Sequence, residues 1–389
     1  MVPGPGTVVG PVEVGPVAHG GHCVARLDGR VIFVRHAIPG ETVMVRLTDT
    51  AKAKFWRGDV AEVRDRSPHR VPAPCPVAGS CGGCDFQHVD PAHQRELKRR
   101  VVAEQLARLA GIEWDGAVEA VGDPLHWRTR MRYVTETGTA GLRAHRSHDV
   151  VEVPPGGCRI ADATGPETDE LRQLAREAQG QDMYVATGEP VSAVAGRDVL
   201  LGRRSVTEVV GRTALQVATD GFWQPHRRAP EVLTKAVLKA LKPQPGEVGL
   251  DLYCGVGLFA AALASKGVQV FGVEQDRRAA GFAARNVPEA EIIAGPLERH
   301  LNQLPHRVDI IVLDPPRSGA GTKVVNRLAG LGARAIAYVA CDPAALARDL
   351  ATFAELGWAP TKIRAFDLFP MTHHIECVAL LERVATDPH

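Results

Sequence analysis

The sequence carries almost no excess of either charge: 46 lysines and arginines against 45 aspartates and glutamates leave a formal +1. Chain-wide attraction to a polyanion is thereby excluded, so any basic surface must be local. The charged start and apolar core of a secretory leader are missing from "MVPGPGTVVG". No uncharged apolar run is long enough to span a bilayer. There is no internal repeat and no low-complexity segment. These absences lead to the expectation of a cytoplasmic protein without membrane contact, monomeric by default. In such a chain eight cysteines point to metal ligation or catalysis more than to disulfides. Its 389 residues suffice for two or three domains with sizeable cores.

What is present falls into three stretches. Residues 1–70 are rich in Val and Gly and offer short strands. "VARLDGRVIFVRH" is a hairpin pattern with Asp28-Gly29 between two alternating runs. "ETVMVRL" and "GDVAEVRD" add strands, and the set predicts a five-stranded barrel of the OB type, an architecture often used on nucleic acid. Residues 71–215 form a second, α+β stretch. "PAHQRELKRRVVAEQLARLA", 91–110, reads as an amphipathic helix on which Lys98, Arg99 and Arg100 read as a solvated cluster. Between 124 and 148 five arginines face one glutamate. The period of two there sets Arg128, Arg130 and Arg132 on one side and Trp127, Met131 and Tyr133 on the other. Such a strand is either a phosphate-tracking surface or a half-buried strand with a solvated face.

From 216 to 389 buried strands alternate with helices, which predicts an α/β domain: a mostly parallel, Rossmann-like sheet covered on both faces. "DLYCGVG" gives a strand and a turn with Gly255 and Gly257, where the backbone can approach a ligand. The next strand ends in Glu274, seventeen residues after Gly257, placed to accept hydrogen bonds from two ribose hydroxyls. The turn lacks the third glycine of a dinucleotide fingerprint. Asp251-x-x-x-Gly255-x-Gly257 matches instead the opening of S-adenosylmethionine-dependent methyltransferases. "DPPR", starting at Asp314, follows a strand and faces the ligand crevice. Its last residue is Arg317 where amine methyltransferases carry an aromatic, which argues against an exocyclic amine as substrate. Cys341 sits where a buried strand meets a helix, beside free backbone N–H groups that favour thiolate. The competing reading is a small core residue.

Cys75, Cys81 and Cys84 stand as C-x5-C-x2-C, and Cys158 follows after 73 further residues. Structural zinc ordinarily uses two short pairs, and only one is present. A triplet plus one distant thiol leans toward an iron–sulfur cluster, with zinc as the alternative.

In this order the pieces resemble the RNA (uracil-5-)-methyltransferase family over nearly the whole chain. Residues 1–70 resemble its TRAM domain, the four cysteines its 4Fe–4S site, and "YVACDPAALARDL" and "FPMTHHIE" its catalytic motifs. The resemblance implies Cys341 as nucleophile, Glu376 as general base, and Gln224, Tyr253, Gly255, Gly257, Glu274 and Asp314 around S-adenosylmethionine. It implies RNA as partner, ribosomal RNA (23S) before transfer RNA. Departures from the family pattern fall at Leu258, Pro296, Ala345 and Met371. Two rival functions are an RNA 5-methylcytosine methyltransferase, which also uses a thiol at carbon 6, and a catalytically silent RNA-binding protein.

Overall fold

The computed structural model describes residues 3–384. Five strands, β1 (Val8–Val17), β2 (Cys23–Leu27), β3 (Arg30–Arg35), β4 (Thr42–Asp49) and β5 (Phe55–Asp65), close a barrel in the order β1-β2-β3-β5-β4. Alternation sends Val12, Val14, Ile32, Val34, Val43 and Val45 inward, all nearly inaccessible. The β2–β3 turn uses Asp28 and Gly29, both at positive φ (49° and 80°), the mirror-image turn that matches strand twist.

Helix α1 (Pro91–Ala110) starts on Pro91 behind Asp90, whose carboxylate accepts the His93 N–H at 2.9 Å. Leu97 enters the barrel core, whereas Val102 and Leu106 enter the core of the large C-terminal sheet. Two burying surfaces explain why Gln94, Lys98 and Gln105 are buried as well. This corrects the expectation for 98–100. Arg99 and Arg100 pair with Glu96 near the surface, but Lys98 is enclosed and bonded to Asp367.

The next elements are β6 (Val118–Ala120), β7 (Arg130–Tyr133), β8 (Gly141–Arg143), β9 (Val150–Glu152), α2 (Thr168–Glu177), β10 (Met183–Ala186), β11 (Ser192–Ala195), β12 (Asp198–Leu201), β13 (Ser205–Val210) and β14 (Thr213–Ala218). They make a four-stranded sheet, β12-β11-β10-β7, and two hairpins, β8-β9 and β13-β14. Met131 and Tyr133 of β7 are buried, as the period of two requires. Its arginines are largely committed within the protein. Arg130 lies 2.8 Å from half-buried Glu208, Arg132 pairs with Asp182, and Arg128 donates to the Arg130 carbonyl at 3.0 Å. Of the three, Arg132 is exposed while Arg128 and Arg130 are half-buried.

The remainder is α3 (Ala229–Leu241), β15 (Val248–Leu252), α4 (Leu258–Ala264), β16 (Gln269–Glu274), α5 (Arg277–Asn286), β17 (Glu291–Ala294), α6 (Leu297–His300), β18 (Ile310–Leu313), α7 (Thr322–Ala329), β19 (Ala335–Ala340), α8 (Pro343–Glu355), β20 (Trp358–Asp367) and β21 (Glu376–Arg383). An eight-stranded sheet runs β17-β16-β15-β18-β19-β21-β20-β6. Neighbours from β17 to β19 are parallel, and β21 is antiparallel to both β19 and β20. The short β6, from far upstream, adds parallel to β20, so the β20–β21 pair is interior and β6 forms the edge. Among the described residues no helix is long and apolar enough to cross a membrane.

Candidate active site

Two clefts matter, and both open at the carboxyl ends of the parallel strands. The first is built on the β15 turn. Tyr253, Gly255 and Gly257 all take positive φ (64°, 56° and 94°), which folds the chain back into α4. A Cβ on Gly257 would lie 3.1 Å from Val287, while one on Gly255 would project into open space, so the turn leaves a cradle on its outer side. Asp251 is fully buried and its Oδ2 accepts the Ala260 N–H at 2.7 Å, tying the strand to the helix. Its Oδ1 has no partner, and burial pushes this carboxyl up to about 8. Glu274 ends β16 and accepts N–H groups of Gly255 (2.8 Å) and Asp276 (2.7 Å), which fixes it over the cradle. Gln224 Nε2 reaches Asp314 Oδ2 at 3.5 Å, and burial pushes the Asp314 carboxyl up to about 7. The six residues assigned to the methyl donor thus come from the ends of β15, β16 and β18 and the segment before α3.

The second cleft surrounds Cys341. Strands β19 and β21 pair with Ala340 opposite Cys377, so in antiparallel register the next residue, Cys341, meets Glu376. Asp342 caps α8, its Oδ1 accepting the Ala345 N–H at 2.8 Å. The environment of the sulfur differs from the expectation of a thiolate favoured by the helix start. Burial first, then the Glu376 and Asp314 carboxylates, push the Cys341 thiol up to about 12; Arg317 is the opposing cation. Glu376 is buried to 2% exposure, and burial, with Asp314 adding, raises its carboxyl well above the ordinary range. Cys341 and Arg317 line a cavity of about 160 Å³, joined by His373, His374 and, from the barrel, His19. Glu376 stands behind that wall and does not line it.

Several side chains hold this cleft that no local pattern announced. Lys98 Nζ donates to Asp367 Oδ1 (2.6 Å) and to the Phe369 carbonyl (3.0 Å), anchoring the loop before β21. Asp85 takes the His373 ring at 2.6 Å. Met371, one of the departures, is held by Gln94, which accepts its N–H at 2.9 Å and donates to its sulfur at 3.3 Å. Asp349 accepts the Tyr338 hydroxyl and the Ala320 N–H, both at 2.6 Å, clamping the loop that follows Asp314. The one sequence signal for this clamp is a charged residue on the apolar face of "ALARDLATF". Cys254, a second thiol in the glycine turn, is buried, with its pKa driven well above the ordinary value by desolvation.

The four cysteines of the candidate cluster converge. Cys75, Cys81, Cys84 and Cys158 line one cavity of about 90 Å³. The Gly83 N–H donates to the Cys81 sulfur at 3.4 Å, and the Cys75 N–H to Gln87 at 3.0 Å. Burial raises the thiols of Cys81, Cys84 and Cys158, Cys84 to about 12. Among the described residues no group of three or more His, Cys, Asp or Glu is placed to hold a metal ion. Cys23 and Cys377 are buried separately from this set.

Known proteins match this architecture segment by segment. A family model described as tRNA (Uracil-5-)-methyltransferase matches residues 298–384, one described as TRAM domain matches 8–61, and one described as Methyltransferase small domain matches 229–335. An uncharacterized RNA methyltransferase of Streptomyces avermitilis is 47% identical, over 96% of this chain and 98% of its own length. A Shewanella protein named 23S rRNA (uracil(1939)-C(5))-methyltransferase RlmD is 31% identical, over 94% of this chain and 93% of its own. Among solved structures, the Pyrococcus abyssi tRNA (uracil-54, C5)-methyltransferase, in complex with S-adenosyl-L-homocysteine, superposes with a TM-score of 0.71. That structure covers 95% of this chain and 100% of its own at 23% identity, a likeness of fold. With full-length identity to named RNA methyltransferases, and the uracil-5 model lying over the Glu376 and Cys341 segment, the chain belongs to the RNA (uracil-5-)-methyltransferase family and is an S-adenosylmethionine-dependent RNA uracil-5 methylating enzyme.

Proposed function

We propose that the chain methylates carbon 5 of a specific uridine in 23S ribosomal RNA through a transient bond between Cys341 and carbon 6 of the base. The observation that supports this reading is the register of β19 on β21, which brings Cys341, on the wall of the cavity, opposite the buried Glu376 behind it. Ribosomal RNA is preferred to transfer RNA because the Shewanella relative bears that activity in its name.

Carbon 5 of uracil is a weak nucleophile. When the Cys341 thiolate bonds to carbon 6, the ring electrons move onto O4 and carbon 5 as an enolate, and carbon 5 becomes reactive. S-adenosylmethionine supplies the electrophilic methyl group; the cradle at Gly255, Glu274 above it and Asp314 beside Gln224 fit its nucleoside and amino-acid ends. Glu376 then takes the proton from carbon 5, the electrons restore the ring double bond, and the carbon–sulfur bond breaks to return the thiolate. Arg317 is the cation that favours the thiolate against the Glu376, Asp314 and Asp342 carboxyls. Burial favours the protonated form of Glu376, and its action as base requires the ionised one.

The reading of a 4Fe–4S cluster, before a single zinc, is supported by four thiols lining one cavity and by the Gly83 N–H pointing at the Cys81 sulfur. Cys75, Cys81, Cys84 and Cys158 would hold it. The transfer reaction is complete without an electron carrier, so the cluster would serve as a staple. The chain leaves Cys84 directly into Asp85 and Phe86, whose N–H groups both bond the Met371 carbonyl at 2.9 Å. Residues 8–65 would act as the RNA-gripping barrel of this enzyme.

RNA containing 5-fluorouridine tests the reaction, because fluorine cannot leave as a proton and the adduct persists. Wild-type protein is expected to form a stable RNA adduct at Cys341, and Cys341→Ala none; turnover at full rate without this sulfur would refute the reading. Nucleoside mass spectrometry of each RNA class, with and without the gene, separates ribosomal from transfer RNA and 5-methyluridine from 5-methylcytosine.

A further inference from the structure

The β1–β2 turn of the barrel, Ala18–His22, lies against the catalytic chain. His19, Gly20 and Gly21 line the same cavity as Cys341. Gly20 and Gly21 take φ of 95° and 80°, open to glycine at little cost. A Cβ on Gly21 would stand 2.5 Å from the Cβ of His373, so the turn's backbone is pressed onto the loop that precedes Glu376. The turn closes on its own backbone bonds, Ala18 N–H to His22 and Gly21 N–H to Ala18, without help from the His19 ring. That ring instead reaches across to α8, with Nε2 3.0 Å from Asp342 Oδ2. The other Asp342 oxygen caps the helix. A single carboxylate, covalently next to Cys341, therefore joins the barrel to the helix start beside the sulfur.

We propose that this barrel turn is a wall of the uridine pocket and that His19 is a positioning residue, holding Asp342 and hence the Cys341 sulfur in register with RNA gripped by the barrel. The inference rests on reading that cavity as the uridine site. The charged groups facing His19 are Asp342, Arg348 of α8 and Arg108 of α1; the hydrogen bond to Asp342 dominates and raises the histidine above its ordinary 6.5. Asp342 in turn is held below its ordinary value despite burial, by the bonds from His19 and the Ala345 N–H. The pair is thus intact while His19 is protonated and fades as pH rises through the raised histidine value.

The test follows adduct formation with 5-fluorouridine RNA in wild type, His19→Ala and His19→Gln, beside equilibrium RNA binding. At saturating RNA, His19→Ala is expected to slow trapping roughly tenfold, the scale of a small misplacement of a reacting group, with RNA affinity held within about twofold. His19→Gln keeps a hydrogen-bond donor and is expected to recover part of the rate. The ratio of wild-type to Gln rates is expected to be largest below the raised histidine value and to shrink as pH rises through it. Trapping by His19→Ala at the wild-type rate, a loss explained wholly by weaker RNA binding, or a ratio independent of pH would each overturn the proposal. Wild type that forms no adduct would sink the uridine-site reading and this one with it; normal wild-type trapping with an unaffected Ala variant sinks only the role of His19.

Discussion

Replacing Lys98 by methionine keeps the apolar stem and removes one charge from the junction of α1 and β20. In the native protein Nζ lies 2.6 Å from Asp367, the two side chains being 1% and 4% exposed. The variant leaves the Asp367 carboxylate enclosed without its cation and frees the Phe369 carbonyl that Nζ also holds. Orphaning one member of a buried ion pair costs about 3–5 kcal/mol. That is a large part of the roughly 5–15 kcal/mol by which a folded domain outweighs its unfolded chain. The double variant Lys98→Met with Asp367→Leu removes both charges and is expected to recover most of the loss, since an apolar pair of similar volume is often as stable as the ion pair. Urea unfolding followed by tryptophan fluorescence reads both, with Trp358 buried in the sheet core as reporter. Equal losses in the single and double variants would show that the unpaired carboxylate is not the cause. A single-variant loss below about 1 kcal/mol, the value of a solvated pair, would refute the buried-pair reasoning altogether.

Alkylation of the free enzyme, with the modified residue identified by mass spectrometry, reads the Cys341 thiolate. Its rate is expected to keep rising through the alkaline range, because the thiol is pushed up to about 12 by burial and by Glu376. Glu376→Gln removes a negative neighbour, so the alkylation curve is expected to move to lower pH while methylation is lost; an unmoved curve contradicts the described contact. Gly21→Ala places a methyl 2.5 Å from His373 at a φ of 80°, and is expected to cost about 1–3 kcal/mol in backbone strain alone, read as a lower melting temperature and slower trapping. Asp349→Ala takes the acceptor from the buried Tyr338 hydroxyl, at about 1–3 kcal/mol, while the Ala320 N–H keeps the Tyr338 oxygen at 3.3 Å; unchanged thermal stability would argue against the clamp.

Much of the architecture could be read from period and punctuation. Runs such as "VARLDGRVIFVRH" alternate because one face of each barrel strand is buried, and Asp28-Gly29 turns the chain where it says it will. The segment 91–110 was legible as a helix, yet its environment was not. Its charged cluster looked solvated because sequence spacing identifies a face, and a helix caught between two cores has no single face to identify. For the arginines of β7 alternation sets only their side of the strand; Glu208 and Asp182, which pair with two of them, lie some 50 to 80 residues away. Strand β6 is three residues long and completes the large sheet from far upstream, too brief to leave any periodic trace.

By itself the sequence determined the barrel, the alternation of strands and helices, the glycine turn and the place of Cys341 at a strand–helix junction. Each of these is fixed by residues within a few positions of one another. The tertiary structure alone decided that Glu376 stands beside that sulfur, that Lys98 is enclosed, that four cysteines share one cavity and that a barrel histidine reaches Asp342. Those contacts join segments up to 323 residues apart. Burial and charge at such meetings, rather than the residue type, set whether a thiol or a carboxyl holds its proton.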